Sequence, residues 1–241
     1  AWDPTGILGV PMKIVTTIVI SFVFFGQILT KSGGSAFFTE ISMILVGRFR
    51  GGQAKIAVMA SGFFGSISGS VVSNVVTTGV ITIPMMRNAG YRAQQAGAIE
   101  AVASTGGQLM PPIMGAAAFI MAEFLEIPYK EVVVAALIPA ILYYVALFVL
   151  ADLEAARTGI KPVAKEDIPD LKTVLKTGWH FPVPFVVLIV ALFVLNYTPE
   201  ESALISALVI MAMGMLIGYK GKRLTPKDIL AAIRETGFAV L

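Results

Sequence analysis

There is no cysteine in this sequence and a single histidine, His180. Those two scarcities exclude a disulfide framework, a cysteine nucleophile, a zinc ribbon and a histidine-rich metal cage. Charge is also scarce: 14% of the 241 residues are Asp, Glu, Lys or Arg, where a soluble domain has roughly a quarter. Apolar residues make up 56% of the chain, with a mean hydropathy of +0.83. That composition predicts an all-α integral membrane protein with the lipid bilayer as its surroundings. The net charge of +3 and a pI near 9.1 do not point to nucleic acid. A nucleic-acid face gathers its cations in one soluble patch, and here they sit between apolar runs. No G-x-x-x-x-G-K-[ST] phosphate loop is present, so no use of ATP is expected, and no cofactor is expected either. The sequence opens on Ala1 and closes on Leu241 within an apolar stretch, which reads as a piece of a longer protein without a cleavable signal peptide.

A membrane helix needs about 20 apolar residues. Residues 1–30 read as a first transmembrane helix interrupted by Lys13, and residues 31–52 as an amphipathic helix along the interface, with Phe37, Phe38, Ile41, Ile44 and Leu45 on one stripe. Residues 53–151 form the expected core. Within it, the uncharged run 56–86 is longer than one span needs and is broken by Gly65, Gly69, Gly79 and Pro84, which predicts a re-entrant hairpin. The run 93–124 is interrupted at Thr105–Gln108 and again at Pro111 and Pro112, which predicts a broken helix, and 132–151 reads as a full transmembrane helix. Residues 152–179 are a cytoplasmic linker, 180–219 two transmembrane helices, and 220–241 a cytoplasmic loop with the start of a further segment. If the hairpin enters and leaves by one side, the basic clusters around Lys55, Arg87, Lys161 and Lys222 all fall inside, while Asp3, Glu126, Glu131 and Glu200 fall outside.

The richest chemistry lies at the hairpin turn, Gly65-Ser66-Ile67-Ser68-Gly69-Ser70, with Ser73, Asn74, Thr77 and Thr78 following at helical spacing. Unwound backbone at membrane depth survives only inside protein or beside water. Carbonyls at half-helix C-termini and neutral hydroxyl oxygens suit a hard cation such as Na⁺, and half-helix N-termini suit an anion. Ser104-Thr105-Gly106-Gly107-Gln108, followed by Pro111 and Pro112, offers the same groups, and two such breaks facing each other make an ion and substrate site. The plainer alternative is that Gly65 and Gly69 only allow close helix packing, which would make the chain a membrane scaffold or anchor without a transport site. Glu100 stands within an apolar half-helix and is a candidate for proton or cation coupling, or else the centre of a buried polar network. A serine hydrolase is not expected: Ile67 holds the nucleophile position of a G-x-S-x-G elbow, and the hairpin holds no Lys or His that could serve as base.

With Asn74-Val75-Val76-Thr77-Thr78-Gly79, Ile83-Pro84 and Ala96-Gly97-Ala98-Ile99-Glu100-Ala101, then Ser104-Thr105-Gly106-Gly107-Gln108-Leu109-Met110-Pro111-Pro112, the chain resembles the large membrane subunit of tripartite ATP-independent periplasmic (TRAP) transporters, in particular the TAXI branch. The likeness runs from about Gly6 to Gly218 and is strongest between Gly51 and Pro139. It implies one half of an inverted-repeat ion-transporter fold, in the cytoplasmic (inner) membrane of a bacterium or archaeon. It further implies cation-driven, elevator-type import of an organic anion delivered by an extracytoplasmic binding protein, with small-subunit membrane helices, fused or separate, as partners. By the same likeness Ser66, Ser68, Gly69, Ser70 and Asn74, with Ser104, Thr105, Gly106, Gly107, Gln108, Pro111 and Pro112, bind ion and substrate, Na⁺ lying at the turn and the break. Coupling to H⁺ is the other option, through Glu100. Only one repeat is visible, so a complete site is not expected from these residues alone.

Overall fold

The computed structural model describes Gly6 and residues 8–240; Asp3, assigned above to the outer face, lies outside the described residues. Among these the regular structure is helical. Helix α1 (Val10–Lys31) runs through the middle of the largest apolar cluster, where Phe25, Ile28 and Leu29 are fully buried against Phe37, Phe181, Leu188 and Ile210. Helix α2 (Gly34–Val46) lies along α3 (Gly52–Ser68) and buries Phe37, Thr39 and Ser42, so its inner face is in part polar. The chain turns at Gly69 and Ser70 into α4 (Val71–Asn88), which returns antiparallel beside α3 and brings Lys55 and Arg87 to the same end of the hairpin.

Helix α5 (Ala93–Gly106) packs against both hairpin arms, and α6 (Ala116–Phe124) resumes after an irregular stretch. Helix α7 (Tyr129–Thr158) is 30 residues long, about 45 Å at 1.5 Å per residue, and extends past the 132–151 stretch expected from the sequence at both ends. Its last turns belong to the stretch assigned above to the linker. Helix α8 (Leu171–Gly178) begins at Asp170, whose carboxylate accepts the Thr173 N–H at 3.0 Å. Helix α9 (Pro182–Val194) is about 20 Å long, too short to cross 30 Å of hydrocarbon by itself, and meets the preceding helical segment at 60°. It stops where Asn196 takes a left-handed conformation and Pro199 starts a new helix, so one of the two spans expected over 180–219 is short. Helix α10 (Pro199–Leu216) opens on a capping box between Thr198 and Glu201. Helix α11 (Pro226–Val240) folds back onto α1, where Lys31 and Glu235 pair at 2.5 Å.

Three of the described helices, α1, α7 and α10, are long and apolar enough to cross a membrane, or four if the bent pair Lys165–Gly178 and Pro182–Val194 forms one span. The side chains agree with that surrounding. On α4, Asn74, Thr78 and Thr82 are at most 1% exposed, whereas Val72, Val76 and Val80 are 65–74% exposed. A water-soluble helix puts its polar face outward; α4 does the reverse, as a helix bordered by lipid or by another apolar surface must. The chain is a multi-pass membrane protein.

Candidate functional site

The turn of the hairpin and the gap in the broken helix meet. The Ile113 N–H donates to the Ser66 carbonyl at 3.2 Å, and the Gly115 N–H to the Gln108 carbonyl at 2.9 Å. Gly69 stands left-handed at φ +58°, and a Cβ there would lie 2.2 Å from the Met114 carbonyl oxygen. One turn lower, a Cβ on Gly65 would lie 2.5 Å from the Gly107 Cα. These glycines therefore do pack closely, and the packing is what seats the turn against the break.

Between the two lies a cavity of about 180 Å³, lined by Ser68, Gly69, Ser70, Gln108, Met114 and Phe119 among others. Helix α3 ends here in its C-terminal carbonyls and α4 begins here in its N-terminal N–H groups, with the Ser70 hydroxyl accepting the Ser73 N–H at 3.3 Å as N-cap. The N-terminal end of α6 opens on the same cavity through Ala116. One negative helix end and two positive ones thus face a small space. The three turn serines differ. Ser66 Oγ donates to the Phe63 carbonyl at 2.8 Å within its own helix, whereas the Ser68 Oγ contact to the Ser70 carbonyl is long, 3.5 Å, at the edge of hydrogen-bonding distance. Hydroxyl and carbonyl oxygens are the donor type that hard cations take.

The remaining residues assigned to the site do not all converge there. Asn74 turns away from the cavity and donates from Nδ2 to the Ser61 carbonyl at 2.9 Å. Ser104 donates to Glu100 at 3.2 Å, and Thr105 is exposed with its hydroxyl on the Ala101 carbonyl. Gly106 lies under the rings of Tyr143 and Tyr144, and Pro111 and Pro112 shape the irregular stretch, where the Pro112 carbonyl accepts the Tyr129 hydroxyl at 3.0 Å. Helical register explains the split: Asn74, Thr78 and Thr82 share one face of α4, and that face is turned to α3 and α5.

That face surrounds Glu100, which is fully buried. Its Oε1 accepts from Ser61 at 3.0 Å, Thr78 at 2.5 Å and Ser104 at 3.2 Å, and its Oε2 accepts from Thr82 at 2.5 Å. Ser61 and Thr82 were missed by sequence reasoning, although the 74-78-82 spacing of polar residues in an apolar helix was visible and marks an inward stripe. The tyrosines of α7 were missed as well. Tyr143 donates to the Val102 carbonyl at 2.7 Å and Tyr144 to the Ala103 carbonyl at 3.0 Å, the latter being among the last four carbonyls of α5.

A family model described as the DctM component of the tripartite ATP-independent periplasmic transporter matches residues 6–240. The C4-dicarboxylate TRAP transporter large permease protein DctM of Pseudomonas aeruginosa is 27% identical over 218 residues, which is 89% of this chain and 50% of the relative. The sialic acid TRAP transporter large permease protein SiaM of Vibrio cholerae is 26% identical over 89% of this chain and 49% of its own length. The ectoine/5-hydroxyectoine large permease protein UehC of Ruegeria pomeroyi is 25% identical over 97% of this chain and 51% of its own. The chain spans about half the length of the curated relatives it matches.

Proposed function

The chain belongs to the DctM family of tripartite ATP-independent periplasmic transporters, and from that premise we propose that it forms part of the permease of a cation-gradient-driven importer of organic anions. The observation that carries this reading is the cavity between Ser68, Ser70 and Gln108, where α3 presents carbonyl oxygens and α4 and α6 present N-terminal N–H groups. A cation held by the Ser68 hydroxyl and neighbouring carbonyls supplies charge that an incoming carboxylate lacks a lysine or arginine to meet, and the two helix N-termini complete the anion's surroundings. At about 180 Å³ the cavity suits an ion and a carboxylate group rather than a whole organic substrate, for which pockets run to about 300–1,000 Å³. The opposing wall comes from permease residues beyond these 241.

A carboxylate substrate is supported by that electrostatic arrangement, and two of the three relatives named above carry acids in their names. An extracytoplasmic binding protein and small-subunit helices complete the assembly. The motif likeness to the TAXI branch supports fusion of those helices to the same chain, and the close seating of the hairpin on α5 supports an elevator-type movement of the two together. The location is the cytoplasmic (inner) membrane of a prokaryote. The test is uptake of labelled carboxylates by proteoliposomes holding the full-length permease and its binding protein, with an imposed Na⁺ or H⁺ gradient. Uptake that needs both the gradient and the binding protein is expected, with Ser68→Ala weakening its dependence on the driving cation. Uptake indifferent to both, from folded protein and a verified ligand, would replace this reading with a scaffold or channel role.

A further inference from the structure

Helix α8 is apolar over a wider arc than the described residues cover. Its side chains step round the axis by about 100° per residue. Val174 and Gly178 are buried against α2, where the Phe37 ring leaves no room for a Cβ on Gly178. Next to them Leu171, Leu175 and Trp179 follow at four-residue spacing and are 46%, 45% and 53% exposed. Lys172 and Lys176 border this open stripe, and Thr173 and Thr177 complete the circle. An amphipathic helix of a soluble protein turns its apolar arc to the core, whereas α8 keeps about half of that arc facing outward.

The chain on either side determines what covers it. Upstream, the Val163 N–H donates to the Gly47 carbonyl at 3.0 Å, which ties the linker to the end of α2. Downstream, residues 181–194 carry no charge, and α9 starts three residues after Trp179. The stripe from Leu171 to Trp179 is about 12 Å long at 1.5 Å per residue. The helical segment that ends in α8 meets α9 at 60°. With α9 along the membrane normal, the stripe therefore descends only about 6 Å, within the 5–7 Å or so of headgroup layer on each side of the hydrocarbon. The whole of α8 lies at headgroup depth with Trp179 deepest, the level at which tryptophan and lysine gather.

The charge bordering the stripe is of one sign. Among the described residues neither Lys172 nor Lys176 forms an ion pair. The carboxylates that precede the helix are placed elsewhere. Asp170 caps α8, accepting the Thr173 N–H and hydroxyl at 3.0 Å each, and Asp167 lines a cleft against Pro84 and Asn88 of α4. Glu166 stands beside Lys165, before the helix begins.

We propose that α8 is a docking surface for anionic phospholipid headgroups of the cytoplasmic leaflet, with Leu171, Leu175 and Trp179 in the acyl boundary and Lys172 and Lys176 on the headgroup charge. Because α8 packs on α2, this contact holds both helices at one level of the bilayer. In full-length permease with every other tryptophan changed to phenylalanine, Trp179 fluorescence is followed in phosphatidylcholine vesicles doped with brominated phosphatidylglycerol or brominated phosphatidylcholine. Each lysine near the surface favours an anionic lipid by about five-fold. Half-quenching is therefore expected at a several-fold lower fraction of the anionic lipid, and Lys172→Gln/Lys176→Gln, which keeps the stripe, should bring the two lipids together. Equal quenching by both lipids in the parent, or a preference that survives in the double variant, overturns the proposal. Quenching by neither lipid also overturns it and assigns the stripe to a protein partner. Where the single-tryptophan protein fails to fold, native mass spectrometry of the unaltered permease decides. The double variant should then retain less phosphatidylglycerol than the parent, and equal retention overturns the proposal.

Discussion

Replacing Gly65 with alanine tests the joint between turn and break more directly than removing a hydroxyl would. The added methyl meets the Gly107 Cα at 2.5 Å and Asn74 Nδ2 at 2.8 Å. The first neighbour is backbone and cannot rotate away, so the hairpin and α5 must part. Overpacking of this kind costs about 1–3 kcal/mol, which weakens the closed contact by about 5- to 150-fold. The Asn74 bond to the Ser61 carbonyl is strained by the same shift. Gly97→Ala is the matched control: it lies in α5, nothing comes within 4 Å of its added Cβ, and a mid-helix alanine stabilises by about 0.5–1 kcal/mol relative to glycine. Thermal unfolding of the reconstituted full-length permease, with uptake measured in parallel, should rank Gly97→Ala at or above wild type and Gly65→Ala clearly below it, with substrate affinity falling alongside. Equal stability and affinity in the two variants would refute the close-contact account of the turn.

Cysteines placed at Lys55 and Arg87 should label with an impermeant maleimide from the same side of the membrane, since both stand at the open end of one hairpin; labelling from opposite sides would rule out the re-entrant arrangement. Tyr144→Phe strips the Ala103 carbonyl of its donor, a buried loss of about 1–3 kcal/mol, and should speed amide exchange near the end of α5 without altering α10. Thr225→Ala removes the capping partner of Asp228 and should loosen α11 by about 1 kcal/mol, read as faster exchange of its first turn. The Thr225 hydroxyl and N–H hold the Asp228 carboxyl below its ordinary range. The cap is therefore complete above that ordinary range and is lost as pH falls through the lowered value, and an α11 start whose exchange ignores acidification would contradict it.

Much of this architecture is legible in the residues because apolar runs and backbone breakers act locally. The glycines at 65 and 69 and the interruption after Gly106 locate the turn and the gap, and the polar residues between them announce that those breaks are not exposed to lipid. What is not legible is direction. Whether Asn74 looks into the cavity or back at Ser61 depends on the rotation of α4 against α3, which is set by packing at Gly65 and Gly107. Ser104 and Glu100 are four residues apart on α5, so their contact follows from helical spacing, but Ser61 and Thr82 reach the same carboxyl from two other helices and no local pattern joins them. The tyrosines of α7 are subtler still: in the sequence they read as ordinary residues of an apolar span, and their role arises only from where α5 ends.

The reversed polarity of α4 restricts how this region can move. Sliding α4 along α3 or α5 would pull hydroxyls off Glu100 in a medium that offers nothing in exchange, whereas the outward valines lose nothing by exchanging one apolar neighbour for another. Friction is therefore high inside the three-helix unit and low at its rim. A displacement that keeps these hydroxyls on Glu100 has to carry α3, α4 and α5 together, and the exposed valines lie outside that shared contact.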